Sequence, residues 1–177
     1  MVLDLSPSAA DVAAILRERR WLPPDRAPEA DPALQAWFAR AAELLAPHAP
    51  ERAALTDLLS LVFSYDAPVI LKQTASQDVL ARSGARNVIR ELAHRVLDAD
   101  ADLDSDRFKE IIDGIKSAVP YRSREMFHPI RLALAGRAGE GVLDRVILLL
   151  DSAARLNFTP PVKPARQRIL EFCAALD

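Results

Sequence analysis

Apolar residues recur every three or four positions along most of this chain, the spacing that places them on one face of an α-helix. The clearest stripe follows Asp31-Pro32 and consists of Leu34, Trp37, Phe38, Ala41, Leu44 and Leu45. No segment alternates apolar and polar residues regularly enough to predict a β-strand. The pattern therefore predicts an all-α fold.

Capping residues and prolines predict where the first helices begin and end. Ser8, followed by Asp11 three positions later, has the form of a capping box, so we predict a helix from there to about Arg20. Asp31-Pro32 is a cap followed by proline at the first helical position. A third apolar stripe ends at residues 65–68, where another proline follows.

An acidic run divides the predicted helices into two groups. The helical pattern from Ser76 to Leu97 is bent or interrupted at Gly84, and residues 98–106 follow it as a linker. The alternating acids resemble the start of a calcium loop, but its glycine and its final glutamate are missing in every register. We therefore predict two helical subdomains, residues 1–97 and 98–177, joined by a solvated linker that ends in a helix N-cap.

The second half of the chain contains four more predicted helices. The first covers residues 108–119. Pro129 is predicted to open a short helix with Arg131 on its first turn, and Gly136 is predicted to end it. A further helix is predicted over residues 139–150. The last helix carries the apolar positions Ile169, Leu170, Cys173 and Leu176.

The composition is that of a globular chain, because 50% of its 177 residues are hydrophobic and 27% are charged. Its net charge of -2 does not favour strong nonspecific nucleic-acid binding, which usually needs a basic surface. The charge is uneven, however: residues 98–113 carry a net -5 and residues 122–177 a net +3. Such an asymmetry would orient the molecule on a polyanion.

Several classes of function are disfavoured by what the sequence lacks. No apolar run is long enough to span a membrane, and Asp4 with Asp11 argues against a secretory signal. The lone Cys173 cannot form an internal disulfide, and no histidine has a second ligand at metal-binding spacing. We therefore expect a cytoplasmic protein without a membrane segment, a metal or a cofactor.

One stretch resembles a known motif. Residues 127–136, Phe-His-Pro-Ile-Arg-Leu-Ala-Leu-Ala-Gly, and the helix that follows resemble the Pro-Leu-Arg…Ala-Leu-Thr-Gly signature of bacterial glutamyl-tRNA synthetases. In those enzymes the signature lies in the C-terminal anticodon-binding domain. Further segments match the family in order: residues 51–66, Lys72 with 79–97, 108–119, and Arg155-Leu156. The resemblance covers residues 31 to 157.

This resemblance implies an all-α, two-part helical bundle of the class I synthetase anticodon-binding type. It also implies that Arg131, Glu140 and Leu143 contact the anticodon bases of tRNA-Glu. A guanidinium suits that role, because its planar fork of donors can bind a base edge or stack on a splayed base. Glu140 stands where the family has a neutral hydroxyl, and a carboxylate near RNA phosphate is repulsive. The alternative is that it accepts a hydrogen bond from a cytosine amino group.

Other basic residues of the second half extend this hypothesis. Arg124 and Arg137 are candidate RNA contacts beside Arg131, and the remaining members of the set are Arg122, Lys163, Arg166 and Arg168. Each phosphate contact would add to the salt dependence of binding. The alternative is an ordinary charged surface, with Arg131 in a salt bridge. Trp37 and Phe38 are predicted core residues. Trp21, before two prolines, is the better candidate for an exposed aromatic, but packing of this link is the favoured interpretation.

The catalytic part of a synthetase is missing from the sequence. Neither a His-Ile-Gly-His-like nor a Lys-Met-Ser-Lys-Ser-like loop is present, so we expect no ATP binding and no enzyme activity from the chain alone. The first hypothesis is a non-catalytic tRNA-binding module, stand-alone or part of a split or excised synthetase, with tRNA-Glu and a separate catalytic chain as partners. The alternative is a protein-interaction domain that kept the fold and lost RNA binding.

Overall fold

A computed structural model describes residues 6–177, and all regular secondary structure within that range is helical. The all-α prediction is confirmed. Asp4, used above to argue against a secretory signal, lies outside the described residues. The α-helices are α1 (Ala9–Glu18), α2 (Pro32–Leu45), α3 (Arg52–Phe63), α4 (Ala67–Lys72), α5 (Thr74–Leu80), α6 (Ala85–Leu97), α7 (Ser105–Ala118), α8 (Arg124–Ala135), α9 (Val142–Ile147), α10 (Leu150–Ala154) and α11 (Ala165–Leu176). No helix among these is both long and apolar enough to cross a membrane.

The predicted caps hold these helices at their N-termini. Ser8 and Asp11 form the complete capping box of α1. Asp31 accepts a hydrogen bond from the amide of Leu34 at the start of α2, and Asp104 caps α7 in the same way. Gly84 has a φ of 90° and separates α5 from α6, so the predicted interruption is confirmed. Its position leaves no room for a side chain, because the ring of Tyr121 lies where a Cβ would be.

An aromatic cluster joins distant parts of the chain in the core. Trp37 and Phe38 are 3% and 1% exposed, which confirms their predicted burial. Trp21 is also buried, because its ring stacks on Phe63 with centroids 4.6 Å apart. Phe158 packs against both Trp37 and Phe63, at centroid distances of 5.2 and 5.1 Å. The segment after residue 157, which the resemblance does not cover, is therefore part of the same core.

The linker between α6 and α7 is held by hydrogen bonds from its neighbours. Arg107 donates to the backbone carbonyls of Val96 and Ala99, both at 2.9 Å, and Asp151 accepts the amide of Leu103 at 2.7 Å. Helix α6, on the N-terminal side of this linker, packs against α7, α8 and α11 on the other side. The division at residues 97 and 98 stays a prediction.

Arg168 on α11 is the most deeply buried charged side chain of residues 6–177, with 0% of its surface exposed. Its guanidinium donates to the carbonyls of Leu61 at 3.0 Å and Val62 at 2.7 Å in the last turn of α3, and of Leu134 at 3.0 Å near the end of α8. Helix C-termini carry unpaired carbonyls and partial negative charge, which a guanidinium neutralises. The idea that Arg168 lines an RNA path is wrong, because the side chain is inside the fold.

The signature helices differ from their predicted boundaries. Helix α8 begins at Arg124, so Pro129 lies inside it. Proline has no N–H group, so the helical hydrogen bond to the carbonyl of Glu125 is missing. Glu125 is an exposed residue in the first turn of α8. The next predicted helix is broken at Leu148 and Leu149 into α9 and α10. At this break the indole of Trp37 donates to the carbonyl of Leu149 at 3.3 Å.

Candidate nucleic-acid interface

Arg131 is the centre of the predicted site, and it holds the loop between α8 and α9. Its Nε and Nη2 atoms donate to the two carboxylate oxygens of Asp144 at 2.9 and 3.0 Å, and its Nη1 donates to the carbonyl of Gly139 at 2.8 Å. The guanidinium also lies 4.7 Å from the ring centroid of Phe127. Such a bidentate pair is among the stronger ionic contacts in proteins. The salt-bridged alternative for Arg131 is therefore what the structure contains.

The local sequence explains why the loop turns here. Gly136 ends α8 with a φ of 81°, a left-handed conformation that favours glycine. A side chain at this position would also come within 3.1 Å of Ile70 Cδ1 on α4. The chain then reaches α9 within six residues, and Arg131 fixes this short connection from the side of α8. The Arg131 side chain is only 11% exposed and that of Asp144 23% exposed.

The loop presents one predicted contact residue to solvent and buries the other. Glu140 is exposed, and its carbonyl accepts the amide of Leu143 at 3.1 Å. The Leu143 side chain is 3% exposed and belongs to the core. The structure thus brings Arg131, Glu140 and Leu143 together around one loop, with Glu140 as the member whose side chain faces solvent.

Arg124 and Arg137 lie at opposite ends of α8. Since the helix has 12 residues, its ends are about 18 Å apart. Arg124 is exposed on the first turn. Arg137 forms a two-pronged ion pair with Asp57 on α3, at 2.7 and 3.1 Å. The hydrogen bond from Arg137 holds the pKa of Asp57 below its usual range. The structure does not gather these two arginines into one cluster.

Three further bases predicted on an RNA path are held by partners within the chain. Arg122 donates to the carbonyls of Lys116 and Val119, both at 2.8 Å, at the end of α7. Lys163 pairs with Glu171 at 2.8 Å, and Arg166 donates to the carbonyl of Leu97 at 3.2 Å. These three side chains therefore have structural roles within the fold, which the sequence alone did not indicate.

His128 on α8 is half-buried and lies near both positive and negative side chains. Burial is the main cause that lowers the pKa of its imidazole; the charges of Arg131, Arg124 and Arg82 lower it further, and the Glu140 carboxylate opposes them. The neutral form is therefore favoured at neutral pH. Arg82, exposed before α6, was not among the sequence candidates, because nothing in its local pattern distinguishes it from other surface arginines.

A groove of about 800 Å³ runs beside the loop, between α7 and α9. Glu140 and Gly141 form one end, and the apolar side chains of Phe127 and Val142 contribute to its wall. The basic residues of this groove are Lys109, Lys116, Arg145 and His48. The first three were not among the candidates predicted from the sequence. Their signal was the seven-residue spacing of the two lysines, which places both on one face of α7.

The fold and the site together define an all-helical domain with an arginine-clamped loop beside a groove that both basic and acidic side chains line. A family model described as anticodon binding domain matches residues 6–153. The chain belongs to this family. No curated protein and no solved structure matches this chain. Within residues 6–177, no group of three or more His, Cys, Asp or Glu side chains is placed to hold a metal ion.

Proposed function

We propose that this chain is a non-catalytic tRNA-binding module of the glutamyl-tRNA synthetase type. The observation that carries the proposal is the family match over residues 6–153, which includes the clamped α8–α9 loop. An anticodon-binding domain without a catalytic body binds RNA and leaves aminoacylation to another part or another chain. In this proposal the partner is tRNA-Glu, and a separate catalytic chain supplies the chemistry.

Arg131 acts in this proposal mainly as a positioning residue. Three of the five N–H groups of a guanidinium are engaged with Asp144 and Gly139, and little of the side chain is exposed. Its contribution is to fix the loop so that Glu140 and the neighbouring backbone meet the anticodon in one conformation. Preorganisation of this kind lowers the entropy lost on binding.

The other proposed contacts have different roles. The exposed Glu140 carboxylate accepts a hydrogen bond from a base amino group, so it contributes to selectivity. The exposed Arg124 guanidinium contacts a phosphate, so it contributes affinity without selectivity. Arg137 also contacts RNA in this proposal, with its charge partly neutralised by the ion pair with Asp57. Leu143 supports the loop from the core.

The test is binding of purified tRNA-Glu and a noncognate tRNA, at low and moderate salt, to the wild type, Arg124→Ala and Glu140→Ala. Arg124→Ala is expected to weaken binding of both tRNAs and to lower the salt slope by about 0.7–0.9. Glu140→Ala is expected to reduce the preference for the cognate tRNA by about 1–3 kcal/mol. No binding of either tRNA to the wild type at low salt would contradict the proposal.

A second candidate is a protein-interaction domain that kept the fold. One observation favours it: Glu140 places an exposed carboxylate at the loop of a chain whose net charge is already -2. Such a charge repels phosphate. The same titration separates the two candidates, because a protein-interaction domain would bind neither tRNA even at low salt.

A further inference from the structure

The groove beside the α8–α9 loop has an apolar floor. This floor comes from three helices: Phe108 and Ile112 on α7, Phe127 on α8, and Val142 and Leu148 at the two ends of α9. Phe127, Val142 and Leu148 are half-buried, so each packs against the core and keeps part of its surface in the groove. The groove volume of about 800 Å³ lies within the range of about 300–1,000 Å³ that is typical of pockets for small ligands.

The charges that line this groove balance. Apart from His48, the ionisable lining residues are three bases and three acids, namely Lys109, Lys116, Arg145, Asp113, Glu140 and Asp144. A balanced lining gives a run of phosphates no net attraction. It suits an uncharged group, which needs apolar surface and a few placed hydrogen-bonding atoms. A nucleobase is a group of this kind, because it has flat faces and polar edges.

The ring of Phe127 is held in place by Arg131, one helical turn further along α8. The guanidinium carbon lies 4.7 Å from the ring centroid. Because Asp144 and Gly139 fix the same guanidinium, it restrains the ring. A ring that is fixed before binding loses little further freedom when a base stacks on it. Phe127 therefore offers the groove a preorganised aromatic surface.

The exposed Glu140 is linked to the Phe127 ring through Arg131. The guanidinium contacts the ring, and its Nη1 donates to the carbonyl of Gly139, the residue before Glu140. Phe127 and Glu140 also line the same groove. Among residues 6–177, the Glu140 carboxylate has no hydrogen-bond or ion-pair partner. One base in the groove therefore has two interactions available, stacking on its face and a hydrogen bond from its edge.

We propose that Phe127 is a stacking platform for one unpaired base of the anticodon loop, and that the Glu140 carboxylate accepts a hydrogen bond from the amino group of the same base. This inference rests on the proposed tRNA-binding function and adds a residue that contacts the face of the base, whereas Glu140 contacts an edge. Stacking tolerates every base, so the selectivity comes from Glu140. A base with an amino group, such as cytosine, is favoured over uracil.

The experiment measures binding of a synthetic stem-loop, with the sequence of the tRNA-Glu anticodon arm, to the full chain. The stem-loop is used intact and with each loop nucleotide in turn lacking its base. The protein variants are Phe127→Leu, which keeps an apolar side chain without an aromatic face, and Phe127→Tyr, which keeps the face. Phe108→Leu is the matched control, because Phe108 lines the same groove but is only 8% exposed. Thermal unfolding followed by circular dichroism checks that each variant folds.

Phe127→Leu is expected to bind the intact stem-loop about 5-fold more weakly or worse, since one base–aromatic stack is worth about 5- to 150-fold in affinity. Removal of one particular base should weaken binding to the wild type at least as much. The same removal should cost Phe127→Leu much less, because its stack is already lost. Phe127→Tyr and Phe108→Leu should bind nearly as the wild type does.

Four results would overturn the inference. Equal affinity of the wild type and Phe127→Leu would exclude the stack. A loss in Phe127→Leu that stays the same whichever base is missing would give Phe127 a purely structural role through Arg131. A loss in Phe127→Tyr as large as that in Phe127→Leu would show that the aromatic face is not what binds. An equal loss in Phe108→Leu would indicate general damage to the groove. Failure of the wild type to bind the intact stem-loop at low salt would instead count against the proposed function itself.

Discussion

Two arginines, Arg131 and Arg168, illustrate how differently one residue type is used in this fold. Each guanidinium lies over an aromatic ring, Phe127 in one case and Tyr65 in the other. Arg131 pairs with a carboxylate at the surface and holds a loop, whereas Arg168 is fully buried and binds only backbone carbonyls. The first arrangement organises a candidate binding surface, and the second joins three helices.

The difference teaches that the environment of an arginine, more than its place in a motif, decides what it does. Burial lowers the pKa of Arg168 to about 10, which still leaves the group charged at neutral pH. The carbonyls of α3 and α8 supply the compensation that a carboxylate supplies for Arg131. Substitutions at the two sites should therefore separate stability from RNA binding.

The largest effect is expected from Arg168→Met. Methionine keeps much of the volume but leaves the carbonyls of Leu61, Val62 and Leu134 buried without their donor. We expect the free energy of unfolding to fall by about 3 kcal/mol or more, because each buried acceptor left without a donor costs about 1–3 kcal/mol. Chemical denaturation measures this change. Arg166→Met on the exposed side of the same helix is the matched control, and equal losses in both variants would contradict the role given to Arg168.

Asp144→Ala is expected to have the next largest effect, because it leaves the Arg131 guanidinium partly buried without its carboxylate. The expected loss of stability is about 1–3 kcal/mol. The α8–α9 loop would also lose its fixed conformation, so tRNA affinity should fall. Asp113→Ala, which removes an exposed acid from the same groove, should change stability by no more than about 0.5 kcal/mol.

A smaller effect is expected from Tyr65→Phe beside Arg168. The hydroxyl donates to the carbonyl of Ala133 at 2.5 Å and contacts that of Arg168 at 3.2 Å. Burial raises the pKa of this phenol, so it stays a donor throughout the physiological range. Its removal should cost about 1 kcal/mol in thermal or chemical unfolding and leave tRNA binding unchanged. A measurable loss of tRNA affinity would show that the two arginine sites are coupled.

Asp57→Asn is expected to have the smallest effect, because its ion pair with Arg137 is largely exposed. Screening limits the contribution to less than about 0.5 kcal/mol. The pKa of Asp57 is lowered in the folded state, so its contribution is present above the unfolded pKa of about 3.9 and is lost as pH falls through the folded value. The stabilities of wild type and variant should therefore converge once the pH is below the folded-state pKa of Asp57. A difference that persisted there would contradict the assignment.

The helices and their starts could be predicted from the sequence because their signals are local. Ser8 with Asp11, Asp31 with Pro32, and Gly84 each act within a few residues of the boundary they set. Pro129 was wrongly predicted to begin the helix, because proline is typical of the first helical position, whereas here it lies in the second turn of a longer helix.

The candidate site could be predicted only in part, because its decisive contacts join distant residues. The signature identified Arg131, but nothing local indicated that Asp144 would occupy its donors. Arg168 was indistinguishable from Arg166, since only tertiary packing buries one and exposes the other. Lys109 and Lys116 line a groove only because α9 packs beside α7, and that packing is not visible in the sequence.

The most direct test of the central claim compares the wild type's affinity for transcribed tRNA-Glu with its affinity for the same transcript carrying a substituted anticodon. The tRNA body is then constant, so any difference reports on the anticodon alone. The expected preference for the native anticodon is about 1–3 kcal/mol, or roughly 5- to 150-fold in Kd. Equal affinity for the two transcripts would contradict it.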